Sequence, residues 1–272
     1  MKRYRHYDKG TAVILSCFGS VVEQKLYEDL KSAMQESFEG VDFFISFSSR
    51  MVLKELAARG MEYRNLPQVL ADTDRAGYRR IVVASINLFP TDEHELLVKT
   101  VEGFSRFSLS RIRHTGAIFD SSAQTSAVLK KLDDTIGREE CANLYVIHGV
   151  PPLDLKGLGA VEYSHGLLEA LSPANFCCSL EGAYPWSALK DRLMHDIAQR
   201  GYKKVQVVPM LLVSGNHYIK DMVGIRDELS ERFESFIAPA LGQSGRFNLL
   251  EFEDIPRLIR RKIFEEIEKF GC

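Results

Sequence analysis

Short apolar runs alternate along this chain with segments whose apolar residues recur every three or four positions. The runs "TAVILSCF" (11–18), "VDFFISF" (41–47), "RIVVASINLF" (80–89), "TGAIFD" (115–120), "NLYVIHG" (143–149), "NFCCSLEG" (175–182) and "KVQVVPMLLV" (204–213) read as strands. They are continuously apolar rather than alternating, which suits strands covered on both faces of a parallel sheet. Between them, Val22, Leu26, Leu30 and Met34 line one face of a predicted helix. Trp186, Leu189, Leu193 and Ile197 line another, with Pro185 at its start and Gly201 as its stop. A last amphipathic segment, "IPRLIRRKIFEEIEKFGC" (255–272), reads as a closing helix. Strand and helix in regular alternation imply a doubly wound α/β fold.

The pattern occurs twice. The first strand of each half ends in "CFGS" or "IHG", the second in "FSSR" or "SLEG", and the third in "INLFPTDEHE" or "LLVSGNH". Two similar parallel-sheet α/β lobes facing a central cleft are therefore expected, an N-terminal lobe over 1–138 and a C-terminal lobe over 139–272. A length of 272 residues accommodates two such lobes.

Hydrophobic residues make up 45% and charged residues 26%, ordinary values for a folded chain, and the net charge is -2. That balance gives no general attraction to nucleic acid or to anionic membranes, so an anionic ligand has to be held by local basic groups. No stretch approaches the roughly 18 apolar residues needed to span a bilayer. Five cysteines without a CxxC pair fit a reducing cytoplasm. The basic start followed by an apolar run imitates a secretion signal, but the run is β-branched and passes into Gly-Ser without an A-x-A-like site, so a first strand is the expectation. Oligomeric state is not legible, and a homo-oligomer is compatible with the pattern.

Ligands of open α/β sheets collect outside the carboxyl ends of the strands. Three consecutive strand ends of the second half present His148, Glu181 and His217. Two imidazoles and a carboxylate suit a borderline divalent metal such as Zn, Co, Fe or Ni, and the same groups can accept protons. Each residue taken singly more often serves local hydrogen bonding than ligation, and it is the occurrence of three at equivalent strand ends that points to a shared site. Of the other histidines, His6 lies in a polar tail, His114 stands among basic residues, and His165 and His195 fall on predicted helices, where solvated faces are expected. His94, in the acidic strand-end loop "TDEHE", is harder to assign to structure alone.

The segments "IHG", "SLEGAYPW" and "VPMLLVSGNHYIKDM", with "CFGS", "DFFISFSSRMVLKEL" and "TDEHELLVKTV" in the first half, resemble the anaerobic-type sirohydrochlorin cobaltochelatases, class II tetrapyrrole chelatases. The resemblance implies insertion of Co²⁺, as substrate metal, into sirohydrochlorin on the way to cobalamin, with no organic cofactor. It places the metal-binding histidine, glutamate and histidine of that family on His148, Glu181 and His217. His148 is then expected to be ligand and principal base, His217 a second ligand, and Glu181 a carboxylate ligand or proton acceptor. Glu93, at a strand end of the first half, would escort metal or protons. Insertion requires two ring N–H protons to leave while the metal sheds other ligands, and an imidazole that titrates near neutrality serves both needs.

The substrate is rich in carboxylates, and Ser20, Ser48, Ser49, Arg50 and Lys220 stand at loops able to bind them, Arg50 through its planar fork. Ser48 and Ser49 also suit the N-cap of a helix over "RMVLKELAARG". Departures from the family pattern cluster at the same loops: Asn87 stands where a histidine is usual, Thr91 replaces a glycine, "VPPLDLKGL" follows "HG", and Asn216 and Lys220 flank His217. Asparagine is a poor ligand for Co²⁺ beside imidazole. Two further readings therefore stand beside the first: a related chelatase working with Fe²⁺ or Ni²⁺, and a tetrapyrrole or haem carrier without turnover. A metallohydrolase and a nucleotide-dependent dehydrogenase are weaker, for want of HExxH and GxGxxG motifs.

Overall fold

The computed structural model describes residues 5–138, 140–215 and 218–271. Two four-stranded, all-parallel sheets carry the fold, with strand orders β2-β1-β3-β4 and β6-β5-β7-β8. In the first sheet β1 is Lys9–Cys17, β2 Val41–Phe47, β3 Tyr78–Ile86 and β4 Arg111–His114. In the second, β5 is Ala142–Ile147, β6 Asn175–Ser179, β7 Lys204–Met210 and β8 Glu234–Ile237. The helices between them are α1 Gln24–Ser37, α2 Arg50–Ala58, α3 Leu66–Arg75, α4 Asp92–Ser105, α5 Ser122–Ile136, α6 Leu158–Leu171, α7 Trp186–Gln199, α8 Val223–Leu229 and α9 Asp254–Glu268.

The apolar runs over 11–18, 80–89, 143–149 and 204–213 are the central strands β1, β3, β5 and β7, as expected for side chains covered on both faces. Those over 41–47 and 175–182 are the edge strands β2 and β6. Ala12 to Leu15 and Leu144 to Val146 are wholly buried. Tyr27, Leu30 and Met34 form the buried stripe of α1, and Trp186, Leu193, Met194 and Ile197 that of α7. Residues Met1–Ile118 with Pro256–Cys272 form one compact unit, and Phe119–Ile255 the other. The sequence boundary at 138/139 differs from this division for a physical reason. Helix α5 belongs to the second sheet: its Asp133 accepts hydrogen bonds from Tyr145 Oη at 2.5 Å and Asn175 Nδ2 at 2.9 Å. Gln206 Nε2 also donates to the Ile136 carbonyl at 2.9 Å. Burial beside that carboxylate raises the Tyr145 phenol well above its ordinary range. Conversely α9 packs with the first unit, where Glu266 pairs with Arg113 Nε at 2.7 Å and Arg111 donates to the Phe270 carbonyl at 2.8 Å.

The expected strand over 115–120 is not a strand. Ala117, Ile118 and Phe119 are buried in a loop, whereas pairing with β3 runs through Arg111–His114. Apolarity there reports burial, and β4 is charged because this edge strand is partly exposed, with none of its four residues buried. The same holds for β8, which the sequence pattern leaves out. Helix α3 also goes unread, although Asn65 and Gln68 form a reciprocal capping box at its start.

Candidate active site

Backbone pairing continues past the ends of β5 and β6. Leu180 N–H donates to the Ile147 carbonyl at 2.9 Å and Glu181 N–H to the His148 carbonyl at 3.1 Å. In the first unit Ser48 N–H and Ser49 N–H donate in the same way to Cys17 and Phe18 carbonyls, at 2.9 and 3.1 Å. The two rims thus share a backbone pattern in which Phe18 corresponds to His148 and Ser49 to Glu181. At these positions the second unit has an imidazole and a carboxylate, His148 and Glu181, where the first has Phe18 and Ser49.

His148 Nδ1 lies 2.9 Å from the carbonyl oxygen of Gly149 and 3.6 Å from Glu181 Oε1. A ring N–H donated to a carbonyl fixes the tautomer and leaves the lone pair on Nε2, the usual arrangement behind a metal-binding imidazole. Both side chains are about half exposed, 40% for His148 and 45% for Glu181, so they are open to a ligand. Their positions are set by two glycines. Gly149 and Gly182 both have φ of +75°, and a Cβ on Gly149 would sit 1.9 Å from the Glu181 carbonyl oxygen. A Cβ on Gly182 would sit 1.9 Å from the Val150 carbonyl oxygen. The "HG" and "EG" loops therefore interlock backbone against backbone, which no other residue type permits.

The Glu181 loop closes on itself through Ser179 N–H donating to the Tyr184 carbonyl at 2.9 Å, with Tyr184 in the left-handed region at φ 58°. Behind it lies His165 of α6. Its Nε2 is 3.4 Å from Ser179 Oγ and its ring centre 5.5 Å from that of Tyr184. The expected solvated face is wrong for this histidine: it is buried, and burial lowers its pKa to about 4. The folded form keeps His165 neutral where the unfolded chain, titrating near 6.5, takes up a proton. Its contribution is complete above pH 6.5 and is lost as pH falls toward 4. Between pH 7 and pH 5 the protein should lose about 2 kcal/mol of stability from this group. Urea unfolding at the two pH values should show that loss in the wild type and a smaller one in His165→Gln; equal losses would refute it.

The remaining sequence-predicted residues divide by role. Glu93 stands in the first turn of α4 with Oε2 buried and without a hydrogen-bond partner. Ser20 is buried, and its hydroxyl accepts the N–H groups of Val22 and Glu23 at 3.2 and 3.0 Å, a local turn-stabilising duty. Ser49 is the N-cap of α2, accepting from Val52 N–H at 3.4 Å, while Ser48 Oγ is buried without a partner. Arg50 and Lys220 are exposed, Lys220 within a π-helical turn over Tyr218–Met222. Asn87 donates from Nδ2 to Ser85 Oγ at 3.0 Å, and Thr91 is the N-cap position of α4 without a side-chain cap bond. His217 and Asn216 lie outside the described residues. Among the described residues no three His, Cys, Asp or Glu side chains form a metal-holding group. The structure thus brings His148 and Glu181 together. The interlocking glycines were present as "HG" and "EG", but their contact joins distant positions and has no local signature.

Cys17, Cys141, Cys177 and Cys178 are free and buried, and burial raises each thiol. Such thiols are inert packing groups. Among the described residues no helix is long and apolar enough to cross a membrane.

Residues 11–240 match the family described as "Cobalt chelatase (CbiK)". A sirohydrochlorin cobaltochelatase of Salmonella typhimurium is 24% identical over 204 residues, covering 73% of this chain and 74% of that protein. The sirohydrochlorin cobaltochelatase CbiKC of Nitratidesulfovibrio vulgaris is 25% identical over 227 residues, covering 79% and 76%. SirB from Bacillus subtilis, solved with Fe³⁺, shares the fold at a TM-score of 0.66 and 17% identity, covering 94% of this chain and 95% of that one.

Proposed function

Because this chain belongs to the cobalt chelatase (CbiK) family and is a metal chelatase, we propose that it inserts Co²⁺ into sirohydrochlorin in the cytoplasm, on the route to cobalamin. The observation that carries the reading is the His148–Glu181 pair, held 3.6 Å apart on interlocked loops at adjoining strand ends. Metal and macrocycle are both substrates, and no organic cofactor takes part.

Insertion exchanges one divalent ion for two ring N–H protons, so the site has to hold the ion loosely and accept protons on the same face. His148 donates Nδ1–H to Gly149 and presents Nε2 as ligand or base. Glu181 supplies the negative charge that attracts the ion and a second acceptor beside it. Positioned proton transfer of this kind contributes about 10² to 10⁴ in rate. His217 completes the proposed ligand set, and Glu93 serves the first unit as the acidic group escorting metal or protons. Arg50, Lys220 and the hydroxyls of Ser20, Ser48 and Ser49 are the proposed contacts for substrate carboxylates. Of these, Arg50 and Lys220 are the stronger candidates, because the Ser20 and Ser49 hydroxyls already accept backbone N–H groups.

Asn87, committed to Ser85 rather than offering an imidazole, favours one second reading, a working metal other than cobalt. Purified protein mixed with sirohydrochlorin and Co²⁺, Fe²⁺ or Ni²⁺ in turn, followed by absorbance, decides between them. Multiple turnovers fastest with cobalt are expected. Preference for iron or nickel would establish the second reading, and stoichiometric binding without turnover would refute both.

A further inference from the structure

Glu181 sits on a closed loop between the last residue of β6, Ser179, and Pro185 at the start of α7. The neck of the loop is drawn shut where Ser179 N–H donates to the Tyr184 carbonyl at 2.9 Å and a single parallel bridge joins Ser179 to Pro185. Strain is stored in that neck. Tyr184 is the one described residue other than glycine in the left-handed region, at φ 58°. An L-residue keeps such a conformation only where its surroundings impose it.

His165 of α6 touches both sides of the neck. Its Nε2 lies 3.4 Å from Ser179 Oγ, and its ring centre lies 5.5 Å from that of Tyr184 with the planes inclined at 35°. Either tautomer makes the Ser179 contact, because a hydroxyl both donates and accepts. The residue is only 6% exposed, and burial lowers its pKa to about 4, so at neutral pH it acts by contact rather than by charge.

Beside the ring is a cavity of about 390 Å³, lined in part by His165, Tyr184, Phe176, Cys177 and Leu189. The imidazole thus stands between open space and the loop. Its removal would enlarge the cavity and leave the neck without backing on that side.

We propose that His165 is a positioning residue for Glu181, holding the neck of its loop so that the carboxylate stays beside His148. The inference rests on the chelatase reading, in which Glu181 meets the metal. It adds a residue that acts through Ser179 and Tyr184 rather than on the ion itself.

The test combines amide hydrogen exchange with Co²⁺ titration of the wild type, His165→Ala and His165→Phe. The phenyl ring keeps the packing on Tyr184 and loses the Ser179 contact, and circular dichroism checks folding. In His165→Ala the Ser179 and Glu181 amides, bonded to the Tyr184 and His148 carbonyls, should exchange about tenfold faster or more. The Co²⁺ dissociation constant should rise about tenfold, with His165→Phe in between. In a Glu181→Gln background the same His165→Ala change should alter Co²⁺ affinity by less than about twofold, which general destabilisation would not produce. Unchanged exchange in folded His165→Ala, faster exchange with unchanged Co²⁺ affinity, or an equal loss of affinity in the Glu181→Gln background would overturn the proposal. Should Glu181→Gln alone bind Co²⁺ as tightly as the wild type, the metal role of Glu181 fails instead, and the exchange rates then decide whether His165 holds the loop.

Discussion

Replacing Gly182 by alanine is expected to cut metal insertion by about 10² or more and to destabilise the fold by about 2–4 kcal/mol. The new Cβ would lie 1.9 Å from the Val150 carbonyl oxygen, 2.6 Å from its carbon and 3.0 Å from its nitrogen. All three are rigid backbone atoms, so the clash is relieved only by parting the two loops. Glu181, the next residue, moves with its loop, and a shift of about 1 Å at a reacting group costs about 10² in rate. Backbone strain adds to this, since an L-residue at φ +75° is disfavoured by about 1–2 kcal/mol. Gly149→Ala should behave alike, its Cβ meeting the Glu181 carbonyl oxygen at 1.9 Å. Gly201→Ala is the matched control. It has φ +85° but nothing within 4 Å of the added carbon, so only the strain remains and insertion should be preserved. Thermal melting and insertion rate measured on all three separate the effects. Near-normal insertion in Gly182→Ala would show that the interlock does not position the site.

His148→Ala is expected to abolish insertion, a loss of about 10² to 10⁴ for the base function alone. The folded state should survive, because the side chain is 40% exposed and leaves no core cavity behind. Glu181→Gln separates the charge from the shape. It keeps the size and one acceptor oxygen but removes the carboxylate, and should weaken metal binding while leaving the melting temperature within a degree or two. Equilibrium titration with Co²⁺ beside the steady-state insertion rate distinguishes ligand from base: a ligand role moves both, a base role only the rate. Near-normal turnover in His148→Ala would remove that residue from its assigned part.

The central strands were legible because they are buried on both faces and leave unbroken apolar runs. β7 occupies 204–210 within its run over 204–213. Of the edge strands, β2 and β6 were legible as apolar runs, whereas β4 and β8 were not. β4 reads "RIRH" and β8 "ESFI", with charges where the strand meets solvent, whereas the apolar stretch after β4 fills the core as a loop. The unit boundary was hidden for a similar reason, since α5 joins the second sheet through Asp133, a polar contact that a hydrophobic pattern cannot show.

At the site, His148 and Glu181 were readable from their strand-end positions and lie together. His165 was misread because a single histidine on a helix gives no sign of which face it occupies. Its burial depends on Ser179 and Tyr184, which come from a later strand and loop. The glycine interlock likewise joins residues far apart in the chain. It needs the topology before it has meaning.

The proposed insertion requires a metal ion lying against His148 and Glu181. Anomalous diffraction from crystals soaked in Co²⁺, with data above and below the cobalt edge, tests this directly. A peak about 2.1 Å from His148 Nε2, with a Glu181 carboxylate oxygen in the same coordination sphere, is predicted. Cobalt bound elsewhere at full occupancy, with no peak beside these two side chains, would contradict it.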